Sequence, residues 1–431
     1  MRNKAFLGVV AALLLPLFAA GQNVSITGTT NRPDELVRLL SYDEMFTCHQ
    51  TLLADTRSDK DGKFHLEASI NEITPAQIAL GLERVDVILS PDGSYDFEIT
   101  VPEKQPGASF FEKEQPTLVI NSINDGGVYL QYIDAELFIN DYIYQNFNTI
   151  YRGRKLSLLD SLDAKLAENV GEIKSDYVLD MVKYKKAAVV TAVSSKKAMA
   201  EYFDRQAVLY SHTAYMDAFF ELFKSDVSDN DFLSRNPQLA ELIAMNEQQK
   251  KCKANPAEKQ NVINYLENII KTTKYAGNKL VATNLITSIE DLSYDSKAPD
   301  FALKDKNGNI IQLSDYKNDM VLLQFVDGYS PLLEHEFATL NELRKQWNDT
   351  IQVVTIATED SFDEVLQLFE KQGFEWQLLN LYNNMLLLEK YHVVTFPSYI
   401  ILKKKGRVGM APAPSPEHQL EKHVRRISKY L

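Results

Sequence analysis

The Ser330 hydroxyl is the side chain most clearly placed for chemistry, because it follows an apolar strand and precedes an amphipathic helix. A serine hydroxyl becomes a nucleophile only when an adjacent base removes its proton. The nearest imidazole is that of His335, five positions further along, and a helix turns it about 140° away. We therefore interpret His335 as an exposed surface residue, and Ser330 with Pro331 as the N-cap and first residue of the helix.

The two cysteines, Cys48 and Cys252, are far apart in the sequence. A Cys-x-x-Cys motif lowers the pKa of one thiol and supports redox chemistry, and neither cysteine belongs to such a motif. An exported chain could join them in a disulfide. We interpret them as two unpaired thiols in different domains, since nothing in the sequence brings their Cα atoms close together.

Other side chains that often bind metals or cofactors do not form a recognisable motif. His418 and His423 are five residues apart, whereas two ligands on one helix face are four apart. Asp59, Asp61 and Gly62 resemble the start of a calcium loop, but its later ligands are missing, so we interpret them as a turn. Phosphate loops, dinucleotide fingerprints and Gly-x-Ser-x-Gly elbows are also missing from the sequence. We predict no cofactor and no metal.

Residues 1–21 are typical of a secretory signal peptide, with basic Arg2 and Lys4, an apolar run and a small-residue cleavage site. The apolar run is shorter than the about 20 residues that span a bilayer. Removal of these two basic residues changes the net charge from −13 to −15, which disfavours nucleic acid as a partner. We expect export to the periplasm or cell envelope, without an integral membrane segment after cleavage.

The mature chain is predicted to contain several domains, of which residues 22–110 form a β-rich, sandwich-like N-terminal domain. Short alternating segments separated by turns favour strands at 23–29, 35–40, 50–56, 64–68, 77–82, 86–89 and 95–101. A polar linker then begins at Pro102 and reaches Pro116.

Residues 117–292 are predicted to form an all-α middle domain, because apolar residues recur with helical spacing. Residues 128–151 carry a dense set of tyrosines and phenylalanines. We interpret these aromatics as core or helix–helix contacts and not as a binding surface. No catalytic arrangement is recognisable in this segment.

Residues 293–431 are predicted to form an α/β domain. An apolar strand at 321–326 precedes a helix whose buried face begins at Leu333. A second strand at 350–357, another helix, a strand at 398–402 with a hairpin, and a final helix follow.

This domain resembles the TlpA/ResA-like branch of thioredoxin-like proteins, which overlaps the AhpC/TSA (peroxiredoxin) family. Five segments carry the resemblance: Ala298-Pro299-Asp300-Phe301, the turn at 305–308, Leu313-Ser314-Asp315-Tyr316-Lys317, the strand–turn–helix stretch at 321–336, and Val393-Val394-Thr395-Phe396-Pro397. Glu336 also matches an acidic residue that the family carries shortly after its second cysteine.

The resemblance implies that Ser330 and Leu333 occupy the positions of the two family cysteines, and that Tyr329 replaces the preceding tryptophan. The redox motif is then degenerate, and no catalytic residue is predicted. The resemblance also implies a cis Phe396–Pro397 bond in a loop that hydrogen-bonds a substrate backbone by strand addition. Tyr329, Ser330, Leu333, Phe396 and Pro397 are therefore a candidate peptide-binding site.

Three classes of function remain. The favoured one is an exported, redox-inactive thioredoxin-like protein that binds a polypeptide or an envelope protein. The second is a purely structural subunit. The third is a thiol–disulfide oxidoreductase of the TlpA or AhpC/TSA type, which would have to use Cys48 or Cys252. We do not predict an enzyme, although the family relatives are thiol–disulfide oxidoreductases.

Overall fold

The computed structural model of the protein describes residues 22–81, 83–102, 115–224, 229–328, 330, 333–347, 350–382 and 384–428. The predicted signal peptide, most of the predicted linker, Tyr329 and Pro331 lie outside these residues. The described chain contains two four-stranded sheets, a set of helices, and a seven-stranded sheet flanked by further helices.

The N-terminal part is built from two sheets that share one apolar core. Its strands are β1 (Gln22–Thr30), β2 (Leu36–Tyr42), β3 (Gln50–Arg57), β4 (Lys63–Ile70), β5 (Thr74–Leu80), β6 (Glu83–Leu89), β7 (Ser94–Thr100) and β8 (Thr117–Asn124). One sheet has the order β4-β1-β7-β8 and the other β3-β2-β5-β6. Strict alternation in β4 buries Phe64, Leu66, Ala68 and Ile70 and exposes the residues between them. Each of the seven predicted strands is found.

Strand β8 was not predicted from the sequence, and the assignment of residues 117–124 to the helical segment is wrong. This strand pairs antiparallel with β7, and Leu118, Ile120 and Ile123 pack against the shared core. The register shifts between Asp96 and Phe97, so the inward residues of β8 are two and then three positions apart. A bulge of this kind interrupts the alternation by which strands are recognised.

The middle of the chain is helical and has a core of its own. Its helices are α1 (Val128–Gln145), α2 (Leu158–Val170), α3 (Asp176–Val193), α4 (Ser195–Ala198), α5 (Thr213–Leu222), α6 (Asn230–Arg235), α7 (Pro237–Ala254), α8 (Lys259–Thr272) and α9 (Ala276–Glu290). Of the predicted core aromatics, Tyr129 and Tyr142 are buried. The same interpretation is wrong for Tyr144 and Phe147, which are exposed.

The loop between β2 and β3 joins the first sheet pair to the helices. Phe46 packs in the helical core against Phe219 and Phe220. Glu44 is fully buried and accepts hydrogen bonds from the backbone N–H of Phe46 and from the Asn284 side chain, at 2.7 and 3.0 Å. Because a buried carboxylate is costly without such donors, this loop is held firmly in the helical core.

The C-terminal part is an α/β domain around the seven-stranded sheet. Its strands are β9 (Ala302–Asp305), β10 (Ile310–Gln312), β11 (Met320–Val326), β12 (Ile351–Ala357), β13 (Gln377–Asn380), β14 (Ser398–Lys403) and β15 (Arg407–Ala413), and its helices are α10 (Leu333–Gln346), α11 (Phe362–Gln372), α12 (Met385–Lys390) and α13 (Leu420–Ser428). The strand order is β10-β9-β13-β12-β11-β14-β15. Every residue of the central strand β11 is buried, because apolar layers cover both faces of the sheet.

Candidate functional site

The first half of the candidate site is the loop that leaves the carboxyl end of β11. Gly328 has a φ of 66°, and a Cβ atom there would lie 2.7 Å from the Ser361 Cβ, so only glycine fits without displacement. The N–H of Leu333 donates to the Ser330 carbonyl at 3.1 Å. The described part of the helix begins at Leu333, and the predicted N-cap arrangement of Ser330 with Pro331 falls partly outside the described residues.

The second half of the site is the loop before β14. The Phe396–Pro397 bond is cis, as predicted. Strand β14 pairs antiparallel with β11, and Ser398 lies opposite Phe325. This register places Pro397 at the end of β11 from which the chain continues to Ser330. The two loops therefore meet at one end of the sheet, as expected from the sequence.

The candidate residues differ in their exposure to solvent. Ser330, Phe396 and Pro397 are half-buried. Leu333 is only 4% exposed and packs in the core beneath α10. The Leu333 side chain supports the loop from below and leaves little surface for a bound peptide.

A buried chain of hydrogen bonds runs beneath this end of the sheet, and it was not predicted. The Trp376 indole N–H donates to the Thr355 hydroxyl, and this hydroxyl donates to the Gln324 carbonyl, both at 2.9 Å. The Gln324 amide donates to the Tyr399 hydroxyl at 3.0 Å, which donates to the Glu336 carboxylate at 2.6 Å. We call these five residues the buried network. Gln324, inside an otherwise apolar strand, was the sequence signal for it.

The buried network ends on a carboxyl group whose pKa is raised. Burial raises the pKa of Glu336, and it outweighs the hydrogen bond from Tyr399, which acts in the opposite direction. The negative charge of Glu417 raises the pKa further. Burial and the neighbouring Glu336 also raise the pKa of Tyr399, so this hydroxyl stays protonated and remains a donor. Glu336, in the first turn of α10, therefore gains a proton more readily than an exposed glutamate does.

The two cysteines lie outside this site, in the β2–β3 loop and in α7. Both are free thiols, which confirms the interpretation that they are unpaired. Cys48 is exposed at the protein surface, and partial desolvation of its thiol, followed by the negative charges of Glu44 and Asp217, raises its pKa. Cys48 is therefore a protonated and poorly nucleophilic thiol at neutral pH, because the thiolate is the reactive form.

His335 contacts an acidic side chain. It is exposed, as expected, and its Nε2 lies 2.8 Å from a Glu417 carboxylate oxygen. Across the described residues, no three histidine, cysteine or acidic side chains are grouped so that they could hold a metal ion. In the same part of the chain, every helix is too short or too polar to cross a bilayer.

A further contact fixes the segment that leads into the cis-proline loop. Glu389, near the end of α12, accepts hydrogen bonds from both terminal nitrogens of Arg38 and from Arg84, all at 2.7 Å. Arg38 and Arg84 lie on β2 and β6 of the N-terminal part, and Arg38 is only 2% exposed. We call these three residues the interdomain clamp. It connects the N-terminal sheet to the helix that immediately precedes the candidate site.

Residues 294–411 match the AhpC/TSA family. The thiol-disulfide oxidoreductase ResA of Bacillus thuringiensis subsp. konkukian is 24% identical over 143 residues, which are 33% of this chain and 83% of the relative. ResA of Bacillus subtilis is 27% identical over 120 residues, which are 28% of this chain and 66% of the relative. The C-terminal region is a TlpA/ResA-like thioredoxin-fold domain.

Solved structures also show similarity to part of this chain. The thioredoxin domain of a thiol-disulfide oxidoreductase from Bacteroides vulgatus has 20% identity and a TM-score of 0.29, covering 31% of this chain and 98% of that one. A thiol:disulfide interchange protein from Chlorobium tepidum has 14% identity and a TM-score of 0.28, covering 31% of this chain and 98% of that one.

Proposed function

We propose that this protein is an exported, redox-inactive thioredoxin-like protein of the periplasm or cell envelope that binds a polypeptide partner. The observation that carries the proposal is the pair of residues at the two positions that the family resemblance assigns to the redox cysteines. Ser330 and Leu333 contain no sulfur, and Leu333 belongs to the apolar core. A serine cannot form a disulfide, and no thiolate can arise at either position.

The binding part of the proposal is supported by the loop before β14. Val394 is 78% exposed, Thr395 is exposed, and Phe396 is half-buried beside the cis bond. An extended polypeptide can pair with such a backbone segment by strand addition, which needs no thiol. The interdomain clamp holds the preceding helix, so this loop is presented in a fixed position.

Two other functions remain as alternatives. The relatives are named thiol-disulfide oxidoreductases, which favours that activity for this chain. It would require Cys48 or Cys252, and the raised pKa of Cys48 argues against the first. The other alternative is a purely structural subunit, in which the loop before β14 contacts no partner.

Turnover assays separate the proposed function from the oxidoreductase alternative. The mature protein should neither reduce insulin disulfides nor consume peroxide with a thiol donor, because Ser330 provides no thiolate. An active thioredoxin-like protein serves as the positive control. Turnover at a comparable rate that disappears in Cys48→Ser or Cys252→Ser would overturn the proposal in favour of an oxidoreductase.

Photocrosslinking separates a binding protein from a structural subunit. A photoreactive phenylalanine analogue at Val394 should crosslink to polypeptides in an envelope extract. The matched control is the same analogue at Ile310, which is 62% exposed. Ile310 lies in β10, the edge strand of the seven-stranded sheet that is far from β14. Equal crosslinking from both positions would show that the loop before β14 has no special affinity for polypeptide.

A further inference from the structure

His212 is a buried histidine at the N-terminus of α5. The residue is 5% exposed, and its ring lies against the Tyr177 ring with 4.3 Å between the ring centroids. Its two ring nitrogens have different partners. Nε2 lies 3.0 Å from the Tyr177 carbonyl oxygen. Nδ1 accepts a hydrogen bond from the backbone N–H of Tyr215 at 3.4 Å, so that His212 is the N-cap of the helix.

These two partners fix the protonation state of the His212 ring. A carbonyl oxygen can only accept a hydrogen bond, so Nε2 must carry a hydrogen. A backbone N–H can only donate, so Nδ1 must carry none. The imidazole is therefore neutral. A second proton on Nδ1 would face the Tyr215 N–H and the positive end of the helix dipole.

The charged groups nearest to the ring act against this neutral state. Asp180 of α3 and Asp217 of α5 favour a charged imidazole, but burial is the larger effect and lowers the pKa of His212. Burial also raises the pKa of Asp217. A carboxyl group with a raised pKa stabilises the folded state more as the pH falls, which is the opposite sign from a buried neutral histidine.

Other elements bring further titratable groups to Tyr177, on which the ring lies. Tyr132 of α1 has its ring 6.0 Å from that of Tyr177, and burial raises the pKa of both tyrosines, which stay protonated. Glu136 of α1 pairs with Lys185 of α3 at 2.7 Å. Glu72 lies in the turn between β4 and β5. The acidic groups would favour a charged ring, so burial and the two hydrogen bonds account for its neutrality.

His212 ends a short connector, residues 210–212, that also contacts the N-terminal sheets. The Tyr210 carbonyl accepts a hydrogen bond from the backbone N–H of Met45, in the β2–β3 loop, at 2.7 Å. The Ser211 hydroxyl donates to the Glu72 carboxylate at 3.1 Å. Three consecutive residues therefore join the β2–β3 loop and the β4–β5 turn to the start of α5.

Helix α5 also supplies the surface on which the β2–β3 loop packs. The Phe46 ring lies against Phe219 and Phe220, with 5.8 and 5.1 Å between the ring centroids. The loop is thus held by the side chains of α5 and by the connector in front of it. Opening of the first turn of α5 should loosen both contacts together.

We propose that His212 is an acid-sensitive switch in the attachment of the N-terminal sheets to the helical part of the chain. A proton added to Nδ1 displaces the Tyr215 N–H from that nitrogen. The first turn of α5 then opens to hydrate the charged ring, and the β2–β3 loop loosens. The switch does not depend on the function of the thioredoxin-like site.

The sign and the steepness of the effect follow from proton linkage. Because the pKa of His212 is lowered in the folded state from 6.5, its stabilising contribution is fully present above pH 6.5. The contribution is lost as the pH falls from there toward the folded pKa. One proton is taken up for each opening, so the opening equilibrium should rise by up to about tenfold per pH unit in this range. Return to neutral pH should restore the closed state.

Hydrogen exchange followed by mass spectrometry tests the switch in the mature full-length protein. Protection is measured from about pH 7 to about pH 5, the range in which histidine changes its charge, and is corrected for the intrinsic exchange rate at each pH. Peptides covering residues 213–222 and 42–49 should lose protection together as the pH falls. Peptides from β11 and β12 are the internal reference and should keep theirs.

A substitution at His212 separates its effect from that of every other titratable group. Asparagine at an N-cap accepts a hydrogen bond from the helix and does not titrate. Folded His212→Asn should therefore keep residues 213–222 protected at about pH 5, where the unmodified protein has lost protection. His65→Asn is the matched control, because the His65 side chain on β4 is 52% exposed and should not affect α5.

Nuclear magnetic resonance of the unmodified protein, labelled in its histidines, gives a test that needs no folded variant. One imidazole should have its hydrogen on Nε2 at neutral pH and should become charged only below pH 6.5, the ordinary pKa of histidine. In His212→Asn, where it folds, this signal should be missing.

Three results would overturn the proposal. One is an equal loss of protection at residues 213–222 in His212→Asn and in the unmodified protein. Another is loss of protection in α5 while residues 42–49 stay protected, which would confine the effect to the helix. The third is that every histidine of the folded protein becomes charged at or above pH 6.5.

Discussion

Removal of the Glu389 carboxylate should destabilise the protein more than almost any other change of a polar residue. Glu389→Ala leaves the Arg38 guanidinium charged and buried, at 2% exposure, without its bidentate partner. Breaking a buried ion pair from one side costs about 3–5 kcal/mol. Arg84 is 27% exposed, so water replaces much of its contact with Glu389. The loss of this contact should contribute only about 0–1 kcal/mol to the destabilisation. Most of the loss should therefore come from Arg38.

The free energy of unfolding can be followed by denaturant titration, and the coupling of the domains by calorimetry. Glu389→Gln keeps one acceptor oxygen and should cost less, about 1.5–3 kcal/mol. The double variant Arg38→Met, Glu389→Leu removes both buried charges and should recover much of the stability lost in Glu389→Ala. Separation of one thermal transition into two would indicate that the N-terminal part has been released from the thioredoxin-like domain.

The pH dependence of the interdomain clamp has a definite sign. Burial raises the pKa of Glu389, but hydrogen bonds and charges from Arg38 and then Arg84 outweigh it and hold the pKa below its ordinary value of 4.5. The folded state therefore binds fewer protons than the unfolded chain in this range. The stabilisation is complete above pH 4.5 and is lost as the pH falls below it.

Two results would refute this account of the interdomain clamp. One is a fall in the free energy of unfolding of less than about 1 kcal/mol in Glu389→Ala. The other is a double variant that is no more stable than Glu389→Ala.

Three other substitutions test the site itself. Because the pKa of Glu336 is raised in the folded state, its contribution to stability should be lost as the pH rises above 4.5. Glu336→Gln should be more stable than the unmodified protein at neutral pH. Urea titrations at several pH values should show that its free energy of unfolding depends less on pH. Gly328→Ala should cost about 1–3 kcal/mol through backbone strain and close contact, and more than Gly308→Ala, whose added Cβ meets no atom within 4 Å. The double change Ser330→Cys, Leu333→Cys should form a disulfide under mild oxidation, seen by mass spectrometry, with the first thiol titrating below about 8.5. A folded variant without that bridge would contradict the correspondence of these positions to the redox motif.

The sequence was sufficient to predict elements whose residues repeat with a clear period. Strand β4 alternates without interruption, and β11 is apolar at every position except Gln324, so both were found. Strand β8 was missed because the register shift beside Phe97 breaks its alternation. Local patterns also cannot show a face that is apolar yet exposed, which is why Tyr144 was wrongly assigned to the core.

The candidate site was predicted only as far as its two loops. The strand-to-helix stretch and the cis-proline segment were recognisable because their residues are consecutive. The interdomain clamp joins Arg38 to a residue 351 positions away, and no local pattern encodes that pairing. Its signal was an arginine inside the apolar strand β2, just as Gln324 inside β11 signalled the buried network. In both strands the informative feature was a polar residue at a position that the period assigns to the core.

The energetic roles of the site residues fit the proposal that this thioredoxin-like site has no redox thiols. Each member of the buried network donates to or accepts from another, ending at Glu336. Replacing one of them by an apolar residue leaves a buried partner unsatisfied, at a cost of about 1–3 kcal/mol. Serine at position 330 stays partly in contact with water, and leucine at position 333 adds apolar contacts to the core. Neither residue leaves a buried polar group unsatisfied. Substitution in the buried network should therefore cost more stability than the presence of serine and leucine at positions 330 and 333, which the family resemblance assigns to the redox cysteines.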